Sequence, residues 1–280
     1  MQFSSLIGHG AQLYHILRKA HRTGEDIASD YFRSRKYIGS KDRKFISELL
    51  FSSLRVATLI EHCAKQANGI VPSESSQEYP YDVMIAHCII GPTLKSFPVE
   101  YYLHPFFGVR NAEEGIMFAI EEKLGLLDES AESWKREVVN AYHHVCASAE
   151  SIIEKADLSE DADAHIFSLY CAMPMWIVQL WHEQGTSCAE IARLCTSLHT
   201  VAPVGLRINA EMIDRPLAID ILRRNNIPCK DGSYSPHAII KPERIPLTHL
   251  DLFLSGAIEV QDEGSQLISF AVSPKEHWRI

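Results

Sequence analysis

Gly256–Leu267 reads GAIEVQDEGSQL, and the change of pattern inside it decides how the surrounding chain is folded. Ile258 and Val260 alternate with Ala257 and Glu259, which is the two-residue period of a short strand. Asp262 then offers a helix N-cap, and Gly264-Ser265-Gln266 opens a helix carrying Leu267, Ile268 and Phe270. Ser273-Pro274 ends that helix, because a residue before proline avoids the α region. Trp278-Arg279-Ile280 reads as the start of another strand. The stretch therefore belongs to an α/β unit, and closure of the last strand is expected beyond residue 280.

Upstream, the same logic extends the unit. Ala202–Asn209 (APVGLRIN) is a strand in which Leu206 and Ile208 alternate with Arg207 and Asn209. Asp214-Arg215-Pro216 starts a helix running through Asn225, with Leu217, Ile221 and Leu222 expected inward. Ile227–Pro228, His237–Ile240 and Leu250–Val260 complete the α/β pattern. Further back the chain is helical by period. Leu6–Lys19 carries Leu6, Leu13, Ile16 and Leu17, and Gly24 follows its basic last turn as a helix stop. A short helix follows around Ile27–Arg35. The strongest helix is Lys41–Ile60, capped by Ser40, with Phe45, Ile46, Leu49, Leu50, Leu54 and Ala57 on one stripe. Residues 68–80 read as a loop, Tyr81–Ile90 as a helix, and Gly91–Gly108 as an irregular connection. Asn111–Leu127, Glu132–Glu154 and Ala164–Tyr170 read as helices. Pro174 opens another, with Trp176, Ile177, Leu180 and Trp181 forming an apolar face. The fold class is α + α/β, an all-helical domain over 1–170 and a linking helix plus small mixed α/β subdomain over 171–280.

Charge is distributed unevenly. The net charge of the 280 residues is −9. Residues 1–65 hold 11 Lys/Arg against 6 Asp/Glu, whereas residues 66–205 hold 7 against 20. A basic front end and an acidic middle imply a local anion-binding face, not a uniformly basic protein. The seven cysteines are odd in number and form no CxxC pair. With no signal peptide and no long apolar run, they read as reduced thiols of a cytoplasmic, non-membrane protein.

Several blocks, in order, resemble one family. Tyr31–Arg55 (YFRSRKYIGSKDRKFISELLFSSLR), Pro174-Met175-Trp176, Ala202–Asn209 and the FxxGxxEVQDEGSQL phrase of Phe253–Leu267 are similar to segments of RsmB/Sun-type RNA 5-methylcytosine methyltransferases. The resemblance implies a NusB-like helical domain that helps hold RNA, then a ferredoxin- or RRM-like subdomain bordering the RNA cleft. It implies S-adenosylmethionine as cofactor of a following Rossmann-like catalytic domain, with rRNA or tRNA as substrate. That catalytic domain is absent from these residues, so the chain is expected to be inactive alone and to be a monomer that binds neither cofactor nor metal. Gln261, Asp262, Ser265 and Gln266 match the motif that precedes the catalytic domain. One departure is that His199 or Thr200 stands where the family has an asparagine.

The candidate RNA contacts are Arg33, Arg35, Lys36, Lys41, Lys44 and Arg55 at the front end, and Arg207 and Asn209 on the second face of their strand. Each competes with a solvated surface reading, while Asp42 and Arg43 read as a structural ion pair or cap. Pro228-Cys229 lacks the context of a catalytic cysteine, and His182-Glu183 lacks the second histidine of a zinc site. A stand-alone NusB-like RNA- or protein-binding adaptor without enzymatic activity is the competing interpretation.

Overall fold

The computed structural model describes residues 1–70, 80–94, 111–241 and 247–272. The chain divides into two compact units, Met1–Val201 and Ala202–Ile280. The first is helical and the second is built on a small antiparallel sheet, as the sequence pattern predicts.

The first unit opens with α1 (Phe3–Lys19), α2 (Gly24–Ser34), α3 (Ser40–Arg55) and α4 (Ala57–Ile70). Phe45, Ile46, Leu49 and Leu50 are fully buried, so the stripe read from α3 faces the core. Each such side chain stabilises by about 1.5–3 kcal/mol on burial. Three local readings change. Gly24 does not end α1; it starts α2, whose N-cap is Thr23, with its hydroxyl accepting from Asp26 N–H. A Cβ at Gly24 would lie 3.1 Å from Leu17 Cδ1 and 3.2 Å from Phe51 Cε1, so close packing places glycine there. Ser40 is the first residue of α3, and Gly39 occupies the cap position without a side-chain hydrogen bond. The long helix over 41–60 is two helices, broken at the buried Val56.

Next come α5 (Tyr81–Leu94), α6 (Ala112–Leu124) and α7 (Asp128–Lys155). The helix α5 packs on α1, α3, α4, α6 and α7, which explains why it is apolar on all sides. It continues through Gly91 and Pro92 to Leu94, where the sequence predicts an irregular connection. The buried part of the helix ends at Gly91, and Pro92 lies exposed in its last turn. The rest of that connection, and residues 71–79 of the predicted 68–80 loop, fall outside the described residues. Trp134 of α7 is fully buried and donates to Asn68 Oδ1 at 2.8 Å, while Asn68 donates to Asp82 at 2.7 Å. That chain of bonds joins α7, α4 and α5 in register.

The unit ends with α8 (Asp161–Cys171), α9 (Met175–Glu183) and α10 (Cys188–Leu198). Their second core gathers Ala149 and Ile152 from the end of α7 with Phe167, Cys171, Val178, Cys188, Ile191 and Cys195. Residues 171–201, assigned on sequence to the second unit, therefore pack with the helices. On α9 the buried residue is Val178, not the expected aromatic face, and Trp176 is 64% exposed.

The second unit runs β1 (Val204–Ile208), α11 (Arg215–Arg224), β2 (Lys230–Asp231), β3 (Ala238–Lys241), α12 (Asp251–Leu254), β4 (Ile258–Val260) and α13 (Glu263–Val272). The sheet order is β2-β3-β1-β4, and all three pairings are antiparallel. A βαββαβ chain order with β1 and β3 central is the ferredoxin-like arrangement. Leu206, Ile208, Ile239 and Ile258 face α11, where Ala218, Ile219 and Leu222 complete the core. Leu217, expected inward, is exposed.

Candidate nucleic-acid interface

Asp214 caps α11, Asn111 caps α6 and Ser187 caps α10, so helix starts are set by ordinary side-chain caps. The α2–α3 connection is different. It is a five-residue turn, 35–39, pinned at one point. Ile38 is buried, its N–H donates to Arg35 O at 3.0 Å, and its carbonyl accepts from Arg43 Nε at 2.9 Å. Asp42 lies 3.7 Å from the Met1 amino group, so Asp42 and Arg43 brace the turn through different partners.

Around this turn the sequence places most of its candidate cations. Lys36, Lys41 and Lys44 are exposed. Arg33 is exposed and pairs with Asp30 at 3.1 Å, and Asp30 also holds Arg22 at 2.9 Å. Exposed pairs of this kind are worth about 0–1 kcal/mol and can exchange for phosphate. Arg35 is turned inward: its guanidinium lies 3.8 Å from the Tyr31 ring centroid and donates to Ser34 Oγ at 3.0 Å. The Tyr31 hydroxyl donates to Gln12 Oε1 at 2.7 Å and meets His9 Nδ1 at 2.6 Å. Burial, then the Arg35 charge, holds the His9 pKa below its usual value. Tyr37 stands on the outside of the turn, 68% exposed, with its ring 6.0 Å from that of His9. Tyr37 was not picked out from sequence, although the alternation of aromatic and basic residues in YFRSRKY is the signal that marks it.

The other candidates sit elsewhere. Arg55 points into the helical unit, where its Nε donates to His199 O at 3.2 Å. Arg207 forms an ion pair with Glu259, its cross-strand partner between β1 and β4. Asn209 closes the end of β1 by accepting from Glu211 N–H at 3.2 Å.

The motif residues lie at and just before the start of α13. Asp262 Oδ2 accepts from Gly264 N–H at 2.9 Å and Ser265 N–H at 3.4 Å, which caps α13. Gln266 is the buried residue of α13, whereas Leu267, Ile268 and Phe270, expected to carry the apolar face, are exposed. Its amide donates to Leu206 O at 3.2 Å and Gln261 O at 3.1 Å and accepts from Ser235 Oγ at 2.8 Å. Glu263 Oε1 accepts from Tyr234 N–H at 2.7 Å and Ser235 N–H at 2.8 Å, and these bonds lower the Glu263 pKa. A Cβ at Gly205 would lie 2.7 Å from Gln261 O. The turn before α13 and its first residues thus cover the second face of the sheet at β1 and β3.

That cover bears on binding chemistry. No aromatic residue occurs in β1–β4, so the sheet lacks the stacking platform by which RRM domains hold bases. The α13 N-terminus is occupied by Asp262, and no glycine-rich turn follows a described strand. Among the described residues no His, Cys, Asp or Glu group has the arrangement of a metal site, and no helix is long and apolar enough to cross a membrane.

No known protein family matches the chain, and no curated protein matches it. Among solved structures, the crystal structure of PH0851 is similar, with a TM-score of 0.53 at 11% identity. The similarity covers 98% of this chain and 56% of PH0851, so the chain spans little more than half the length of that protein. The fold is shared. At this identity the likeness carries fold alone, and the distant relation it suggests is structural.

Proposed function

We propose that the chain is the RNA-recognition portion of an S-adenosylmethionine-dependent RNA (cytosine-C5) methyltransferase acting on rRNA or tRNA. The observation that carries it is the braced α2–α3 turn, where Lys36 in the turn and Arg33, Lys41 and Lys44 on the flanking helix ends are all exposed in a net acidic protein. Such a cluster binds phosphates by releasing counterions. Arg35, which stacks on Tyr31 and donates to Ser34, and Arg55, which donates to His199 O, are left out of the proposed contacts, and so are Arg207 and Asn209, which lie in and just after β1 of the other unit. The fold agrees with the two-part architecture that the sequence resemblance implies. Cofactor binding and cytosine chemistry belong, on this reading, to a catalytic domain outside these residues. The exposed Ile268, Phe270 and Val272 of α13 are the surface such a domain would cover.

The test is fluorescence anisotropy with a structured RNA fragment over a salt series. The triple variant Lys36→Glu/Lys41→Glu/Lys44→Glu should bind more weakly and with a flatter salt dependence, by about 0.7–0.9 in log–log slope per lost phosphate contact. The variant Lys135→Glu/Lys155→Glu, in the acidic region, should bind as the parent does. Unchanged affinity in the triple variant would remove the turn from the interface. Absence of binding at low salt would favour a protein-binding adaptor.

A further inference from the structure

The position of Tyr37 suggests more than phosphate binding. We propose that Tyr37 is a stacking platform for an unpaired base, so that the α2–α3 turn selects single-stranded RNA over duplex. The inference rests on the RNA-binding reading above and names the substrate form that its site prefers.

Tyr37 contributes little to folding: 68% of it is exposed, whereas the neighbouring Ile38 fills the core at 1%. Its backbone is nevertheless held. The Ile38 N–H to Arg35 O bond, the Arg43 Nε to Ile38 O bond and the Arg43 N–H to Gly39 O bond close the turn on both sides of it. An exposed aromatic on a braced turn loses little backbone freedom when it binds, which favours recognition over a structural role. One side of Tyr37 is bordered by the His9 ring, 6.0 Å away and tilted by 48°. His9 is itself fixed by the Tyr31 hydroxyl, so the aromatic border does not drift.

Chemistry around the ring selects the ligand. Lys36 adjoins Tyr37 in sequence, and Lys41 and Lys44 follow on the first turns of α3, all exposed. Arg33 lies four residues before Tyr37, in the last turn of α2. Asp30 pairs with Arg22 and Arg33, and Asp42 lies beside the amino terminus. An exposed ring in a segment rich in exposed cations matches a base flanked by phosphates. Bases in a duplex are stacked on one another and present no face to a protruding side chain; an unpaired base does. The same ring offers nothing to a duplex except bulk, so its contribution should appear only with single strands.

The experiment compares two labelled RNAs by fluorescence anisotropy: an unstructured single strand of about 12 nucleotides and a fully paired duplex of the same length. The proteins are the parent chain, Tyr37→Ala, Tyr37→Phe and the Lys36→Glu/Lys41→Glu/Lys44→Glu variant. Tyr37→Ala should weaken single-strand binding by about 5- to 100-fold, leave duplex binding and the salt slope unchanged, and be rescued by Tyr37→Phe. Equal loss on both RNAs, or no loss on either, would overturn the stacking role while the lysine variant still reports on phosphate binding. If the parent binds neither RNA at low salt, the RNA reading itself falls, and the stacking role with it.

Discussion

Gln266 reaches from α13 to the carbonyl of Leu206 in the middle of β1, 3.2 Å away, and is the one buried residue of its helix. A polar side chain therefore does the work that an apolar stripe does on α3. Replacing it with leucine would leave the Ser235 hydroxyl and the Gln261 carbonyl without this partner. Each buried group left unpaired costs about 1–3 kcal/mol. Gln266→Leu should destabilise the Ala202–Ile280 unit by roughly 2–4 kcal/mol, measured by urea unfolding, and Gln266→Ala should do no better. A stability equal to the parent's would show that the amide is replaceable.

Gly205 makes a complementary prediction. Alanine in a strand normally gains about 0.4–1 kcal/mol over glycine by restricting the unfolded chain. Here its Cβ would meet the Gln261 carbonyl oxygen at 2.7 Å, and that atom is backbone. The clash should win, with a net loss of about 1–3 kcal/mol. A raised melting temperature in Gly205→Ala would contradict the close crossing of the chain over β1.

His87 gives a pH dependence. It is fully buried, with Nδ1 2.8 Å from Ser53 Oγ, and burial, helped by the Arg55 charge, pushes its pKa down to about 3. The unfolded chain binds a proton near pH 6.5 that the folded chain refuses. Stability from this group is therefore complete above about pH 6.5 and is lost as pH falls toward 3, by about 1.4 kcal/mol per unit. His9, His62 and His199, also lowered chiefly by burial, act in the same direction. Denaturant unfolding at pH 5 and pH 7.5 should show the loss, and His87→Leu should reduce it. An identical pH profile in that variant would assign the effect elsewhere.

Arg207 and Glu259 face each other across β1 and β4 at a half-exposed site. Arg207→Glu alone places two acids opposite one another and should lower stability by about 0.5–1 kcal/mol. Adding Glu259→Arg should restore most of it. If Arg207→Glu instead weakens RNA binding as strongly as the lysine triple variant without loss of stability, Arg207 belongs in the interface after all.

The helical half was legible wherever burial follows a period. Phe45, Ile46, Leu49 and Leu50 announce their face because nothing but packing chose them. The strand Val204–Ile208 was legible for the same reason. What sequence did not reveal were choices made by contacts distant in the chain. Val56 breaks a helix whose period continues through it, and Gly24 is set by Leu17 and Phe51, not by its own backbone preference. Trp176 and Leu217 look like core residues, yet on their helices Val178, Ala218 and Ile219 are buried, together with the expected Leu222. Of the candidate site, the cations were visible as charge. Their sorting was not: Arg35 and Lys36 are neighbours, one stacked inward on Tyr31 and one facing solvent.

The long helix α7 has a practical consequence. Trp134 and Val138 near its start belong to the large core, and Ala149 and Ile152 near its end belong to the small one. A fragment cut at residue 170 would keep the end of α7 but discard Val178, Ile191 and Cys195, stripping one side of that core. Such a fragment should aggregate or fray from its carboxyl end. An expression boundary at Val201 keeps both cores closed and is the place to separate the helical half for study.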